Sequence, residues 1–210
     1  MPCQKQLQWF ALLLGLLPWT ATAEEPASHL LLTSTHGDIM IELNPQRAPL
    51  TVDNIVAYAR EGHYDGLVFH RVIEGFVIQT GGYDADFQSR SADRSVANES
   101  GNGLSNQRGT VALARGDEPH SGKAQFYINL DDNERLDPRR ARWGYAVFGR
   151  VVYGMETVDA IGALPTGARD PLPSDVPEED VIINKVETMD RRTAFQWLDE
   201  HERETREPQE

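Results

Sequence analysis

Apolar and polar residues alternate along most of this chain in runs of strand length. Ile39, Ile41 and Leu43 alternate with Met40 and Glu42, the mark of a half-buried strand. Leu30 to Thr33 precedes them across His36-Gly37, a hairpin signal. Strand-like runs recur at 67–73, 76–80, 109–115, 125–130, 145–152 and 181–189. Two stretches change period. Val52, Ile55, Val56 and Ala59 fall at i, i+3, i+4 and i+7 behind Thr51, which can cap a helix there. Near 154–162, Met155, Val158 and Ile161 form a second stripe. Some eight strands with two isolated amphipathic helices predict a mainly β fold, a closed antiparallel barrel with a helix over each end, because closure removes exposed edges. The strand count alone also admits a sandwich.

The connections differ in kind. Residues 83–108 are rich in Ser, Asn, Asp and Gly and read as a long surface excursion. Residues 163–180 carry Pro165, Pro171, Pro173 and Pro177, which predicts a stiff irregular link to the last strand. Beyond Arg191, Ala194, Trp197 and Leu198 can form one or two helical turns against the barrel, before a frayed Glu/Arg-rich end.

One run concentrates the candidate chemistry: Phe69-His70-Arg71-Val72-Ile73-Glu74-Gly75-Phe76-Val77-Ile78-Gln79-Thr80-Gly81-Gly82. Alternation puts Phe69, Arg71 and Ile73 on one face, and Val77 and Gln79 on one face after a turn at Gly75. A cation on an apolar face is costly unless it pairs or serves a ligand. No acidic residue alternates with Arg71, which favours a ligand; a structural bridge to Glu74 or Glu42 is the plainer alternative. His70 points the other way by alternation and reads as structural. From burial statistics alone Phe76, Val77 and Leu136 would be core, and Gln125 could merely satisfy a strand end. The other histidines show no metal-ligand spacing, and no Ser/His/Asp arrangement is visible.

Composition narrows the class. The net charge of −13 favours solubility and argues against nonspecific nucleic-acid binding, which runs on basic patches. Lys5 is the one charge among the first 23 residues, Trp9 to Leu17 form a short apolar core, and Pro18 precedes Ala21-Thr22-Ala23. That pattern predicts an export signal with a cut after Ala23; the alternative, an uncleaved membrane anchor, is disfavoured because the run is too short for a span of about 20 residues. Cys3 would leave with it, so the mature chain would carry no thiol. The expected organisation is a signal peptide over 1–23, one domain over 24–190 and a charged extension over 191–210.

Four blocks resemble the cyclophilins, a family of peptidyl-prolyl cis-trans isomerases. They are the run from Phe69 to Gly82, then Arg108-Gly109-Thr110-Val111-Ala112-Leu113-Ala114-Arg115, Ala124-Gln125-Phe126-Tyr127-Ile128-Asn129, and Gly144-Tyr145-Ala146-Val147-Phe148-Gly149-Arg150-Val151. They stand in the family's order over about residues 29–190. The last block is most similar to the branch exported by Gram-negative bacteria. The resemblance implies a closed eight-stranded antiparallel barrel capped by two helices. It also implies a periplasmic, cofactor-free and metal-free isomerase of Xaa–Pro bonds in folding envelope proteins, expected as a monomer without stable membrane insertion. By the same match Arg71 is the catalytic arginine. Phe76, Val77, Tyr127 and Leu136 line the proline pocket, Gln79 and Gln125 hydrogen-bond the peptide, Ala114 and Arg115 follow its track, and Tyr145 stands where many members carry histidine.

The chain departs from the best-known eukaryotic members where Arg135 replaces a tryptophan, Tyr127 a phenylalanine, Val77 a methionine and Arg115 an asparagine. The missing tryptophan implies weak inhibition by cyclosporin, and the Tyr127 hydroxyl puts the depth of the pocket in question. Two rivals remain at this stage: a non-catalytic chaperone or adaptor binding proline segments on the same fold, and a lipocalin-like carrier, which would need a hollow barrel.

Overall fold

The computed structural model describes residues 25–206. The expected signal, its cut after Ala23 and Cys3 lie outside the described residues. Along the chain run β1 (His29–Ser34), β2 (Gly37–Leu43), α1 (Pro49–Arg60), β3 (Arg71–Ile73), β4 (Val77–Thr80), β5 (Thr110–Leu113), β6 (Phe126–Asn129), β7 (Val147–Tyr153), α2 (Met155–Gly162), β8 (Thr166–Arg169), β9 (Leu172–Pro177), β10 (Ile183–Met189) and α3 (Arg191–Arg206). Eight strands form one antiparallel sheet in the order β10-β1-β2-β7-β5-β6-β4-β3. The sheet curls over a core that includes Leu30, Leu32, Ile39, Ile41, Phe69, Ile78, Phe126 and Phe148. Each of these side chains is at most 1% exposed. A filled interior removes the lipocalin-like reading.

The ends of that order, β3 and β10, share no ladder among the described residues. What joins that side is a single bridge, Val68–Ile182, with backbone hydrogen bonds from Gly66 N to Ile183 O (2.8 Å) and Phe69 N to Val181 O (3.0 Å). β3 is only three residues long, so little of it is left to pair.

Helix α1 begins two residues before the expected cap. Thr51 lies inside it, and Ala48 at the N-cap makes no side-chain bond. The free amides are met from outside instead. Glu99, in the long excursion, accepts from Leu50 N (3.1 Å), Thr51 N (2.8 Å) and the buried Thr51 hydroxyl (2.7 Å). A carboxylate at a helix N-terminus also complements its dipole. In α2, Val158 and Ile161 are fully buried, as their spacing predicts.

Two expectations need correction. The proline-rich stretch 163–180 is not irregular: β8 and β9 pair with each other as a separate hairpin, Thr166 opposite Pro177 and Arg169 opposite Leu172. A two-stranded ribbon has free edges, and there proline costs no ladder bond. The extension is a third helix of 16 residues rather than one or two turns. Asp190 accepts from Thr193 N (2.8 Å), and Ala194, Trp197 and Leu198 pack beside Leu31, Met40 and Tyr153. Its charged residues hid the length, because its apolar stripe is narrow.

Candidate functional site

Strand alternation divides the side chains of β4, β5, β6 and β7 between two faces. Ile78, Val111, Leu113, Phe126, Ile128 and Phe148 enter the core. Val77, Ala112, Tyr127 and Val147 form a second apolar cluster on the other face, joined by Phe76, Leu104, Ala114, Leu136 and Tyr145. Register then lines up a row across five strands. Arg71 stands opposite Gln79, Gln79 opposite Tyr127, Tyr127 opposite Ala112, and Ala112 opposite Val147. A cation, an amide and an aromatic ring are thereby brought side by side from segments far apart in sequence.

A hollow of about 230 Å³ opens on this row, lined by Arg71, Phe76, Val77, Gln79, Ala114, Arg115, Tyr127, Leu136 and Tyr145. Nine of the ten residues named from sequence meet there. The tenth, Gln125, stands beside them and accepts from Gln79 Nε2 through its Oε1 (2.9 Å). An adjoining hollow of about 570 Å³ shares Gln79, Ala114 and Arg115 and also reaches Gln125. An extended chain leaving the first hollow therefore has a continuous groove to follow.

Arg71 begins β3, and Phe69 before it belongs to the core. The expectation that Phe69 and Arg71 share a face fails because the strand starts only at Arg71. The partner of Arg71 is neither Glu74 nor Glu42. Glu42 accepts from Arg150 Nε (2.8 Å), whereas Arg71 Nε lies 3.6 Å from Asp175 Oδ2 on β9. Both side chains are about a third exposed (38% and 35%), so this pair is solvated and does not seal the guanidinium away. Asp175 sits at φ 64°, a left-handed conformation that asparagine and aspartate tolerate better than most residues.

Tyr127 is buried, and its hydroxyl donates to Asn106 Oδ1 (2.8 Å). Burial pushes its pKa well up, with Tyr145 and Asp137 adding to the effect. The hydroxyl is thus turned beneath the floor. Under it lies a polar network that sequence reasoning missed. Asn129 Nδ2 also reaches Asn106 Oδ1 (3.3 Å), and Asn133 Nδ2 donates to Phe76 O (2.9 Å) and Asn129 Oδ1 (3.0 Å). Asn106 in turn donates to Asp137 Oδ1 through its side chain and its backbone (2.8 Å each), and the Ser105 hydroxyl donates to Asp137 Oδ2. Burial pushes the Asp137 carboxyl up, but these hydrogen bonds outweigh it and hold the group below its usual range. Isolated asparagines carry no sequence signature for such a role.

Two glycines shape the rim. Gly75 at φ 63° makes the turn between β3 and β4. A Cβ on Gly144 would fall 2.4 Å from Pro138 N and 2.7 Å from Leu136 O, so only glycine lets the turn carrying Leu136 close over the hollow. His70 is buried and, mainly through desolvation, its pKa is lowered to about 4. It is neutral at pH 7.

The arrangement presents an apolar seat with a charged donor at one edge and amides along the way out. Among the described residues that line the hollow there is no carboxylate, histidine, serine or cysteine. The family described as cyclophilin type peptidyl-prolyl cis-trans isomerase/CLD matches residues 29–188. The chain is 47% identical over 161 residues to the peptidyl-prolyl cis-trans isomerase cyp18 of Streptomyces antibioticus, covering 75% of this chain and 96% of that protein. It is also 47% identical over 156 residues to isomerase B of Escherichia coli, covering 73% and 94% respectively. The fold is similar to a crystal structure of a Cryptosporidium parvum cyclophilin type isomerase solved in the presence of the dipeptide Ala-Pro. There the TM-score is 0.63 at 23% identity, covering 78% of this chain and 99% of that one.

Proposed function

The chain belongs to the cyclophilin-type peptidyl-prolyl cis-trans isomerases, and we propose that it twists Xaa–Pro bonds at the hollow beside Arg71. The enzyme class follows from membership; the residues and the setting are the proposal. An Xaa–Pro bond turns over in ~10–100 s because its C–N bond is partly double, with a barrier near 20 kcal/mol. Nothing covalent has to form. The site must hold the twisted imide better than either planar isomer.

The proline ring is seated against Phe76, Val77, Tyr127 and Leu136. Arg71 donates toward the imide, whose nitrogen becomes pyramidal and basic only in the twisted form. Gln79, held by Gln125, takes the neighbouring peptide group, and Ala114 and Arg115 guide the chain outward. A charged hydrogen bond contributes about 1.5–3 kcal/mol, and each ~1.4 kcal/mol is tenfold in rate. The observation that carries this reading is the register row that sets Arg71, about a third exposed, at the rim of an apolar hollow. The neighbouring Cryptosporidium parvum cyclophilin, solved with Ala-Pro, supports proline-containing peptides as ligands.

The expected signal over 1–23 supports work in the periplasm on exported proteins, and the bridge between Val68 and Ile182 supports reading the curled sheet as a closed barrel. Arg71→Ala tests the catalytic role. It should lower kcat/KM on a proline peptide by about 100-fold while the peptide still binds. Equal isomerisation by the variant and the wild type would remove Arg71 from the catalytic role, and no isomerisation by either would leave only a binding module.

A further inference from the structure

Leu136 closes one side of the hollow, and the chain continues as Asp137-Pro138-Arg139-Arg140-Ala141-Arg142-Trp143. Arg139 N donates to Arg142 O and Arg142 N to Arg139 O, both at 2.9 Å, which places Arg140 and Ala141 at the tip of a tight hairpin. The Arg142 guanidinium donates back to the carbonyls of Arg135 and Asp137, fixing the tip to its base. Every residue from Pro138 to Trp143 is exposed.

The positive charge continues onto the rim. Arg135 lies 4.1 Å over the Phe76 ring and Arg115 lies 4.7 Å over Tyr145, both rings of the hollow. Arg115 Nη2 donates to Trp143 O (2.9 Å), which joins the two sides. Among the described residues no carboxylate forms an ion pair with Arg115, Arg135, Arg139, Arg140 or Arg142. Of the acids close in sequence, Asp137 is held by Ser105 and Asn106 and Asp132 accepts from Arg108 N, while Asp117, Glu118, Asp131 and Glu134 are exposed and, among the described residues, form no ion pair with these arginines. This cluster stands on a chain of net charge −13.

We infer that the basic turn 135–143 is a docking surface for acidic residues near the substrate proline, so that segments carrying Asp or Glu beside the proline are the favoured class. The inference rests on the hollow being the proline site. A peptide is favoured over an anionic lipid sheet because the cations follow the rim of a groove, and the acidic remainder of the surface repels an extended anionic face.

Three peptides with one Xaa–Pro core, flanked by two Glu, two Ala or two Lys, test it. Arg139 and Arg140 are exposed and make no side-chain bond among the described residues, so the double variant Arg139→Gln/Arg140→Gln should fold normally. The wild type should turn over the Glu peptide about three- to tenfold faster in kcat/KM than the Ala peptide, with the Lys peptide slowest. The spread should shrink to about twofold in 1 M salt and in the double variant, with the Ala peptide unaffected. The same order should appear in Kd, so it can be read even if Arg71→Ala overturns the catalytic role. Equal handling of the three peptides overturns the inference, as does a ranking that survives in the double variant. Equal handling together with Arg139- and Arg140-dependent binding to phosphatidylglycerol vesicles would assign the turn to lipid instead.

Discussion

Removing the hydroxyl of Tyr127 separates its two possible roles, because the hydroxyl is bonded on one side of the floor and the ring faces the other. In Tyr127→Phe the bond to Asn106 Oδ1 at 2.8 Å is lost, but that oxygen still accepts from Asn129 Nδ2 at 3.3 Å. No buried acceptor is left bare, so the cost is that of one neutral hydrogen bond, about 1 kcal/mol. With a urea slope near 2 kcal/mol/M for a domain of this size, the midpoint should fall by about 0.5 M. Activity should stay within about twofold, since the substrate meets the ring and not the oxygen. Urea unfolding followed by circular dichroism and a protease-coupled isomerase assay read the two quantities on one preparation. A tenfold change in kcat/KM with an unmoved midpoint would mean that the hydroxyl faces the substrate, and the floor described above would be wrong.

Other perturbations follow from the same geometry. Glu99→Ala strips Leu50 N, Thr51 N and the buried Thr51 hydroxyl of their acceptor, and should cost about 2 kcal/mol in urea unfolding; Thr51→Val should recover only part of that loss. Burial lowers the pKa of His70 to about 4, while an unfolded histidine titrates near 6.5. Its contribution is therefore present above pH 6.5 and is lost as pH falls toward 4, by about 3 kcal/mol at most. Urea midpoints over that range should fall less steeply in His70→Gln, the remaining slope coming from His29 and His63, which desolvation also lowers. Asp175→Asn keeps the left-handed backbone but removes the charge beside Arg71, so melting should hardly move while kcat falls about two- to fivefold; an unchanged kcat would show that the arginine needs no such neighbour.

Much of this architecture was readable in the chain because alternation declares itself locally. Ile39, Ile41 and Leu43, or Phe126 and Ile128 against Tyr127, give away both strand and face. The two amphipathic stripes located α1 and α2 for the same reason. Neighbour relations are a different matter. Nothing in the sequence places β6 between β4 and β5, yet that order sets Tyr127 between Gln79 and Ala112. The site residues were named together through likeness to a family, not through any pattern that brings Arg71 toward Tyr145. Misreadings arose where distant segments intervene: Glu99 replaces Thr51 as the cap of α1, and Asp175 approaches Arg71 from a stretch whose prolines suggested no regular structure. Asn106, Asn129 and Asn133 stayed hidden because a buried amide looks like any surface asparagine until its partners are in place.

The β8–β9 ribbon pairs with itself, yet it delivers a carboxylate to the guanidinium at the rim. Its fixed peg is Val176, seated with Val68 and Phe87. With that peg retained, residues 166–177 can be exchanged as a graft at the periphery. The surroundings of the arginine would then be rewritten while the eight-strand sheet stays as it is.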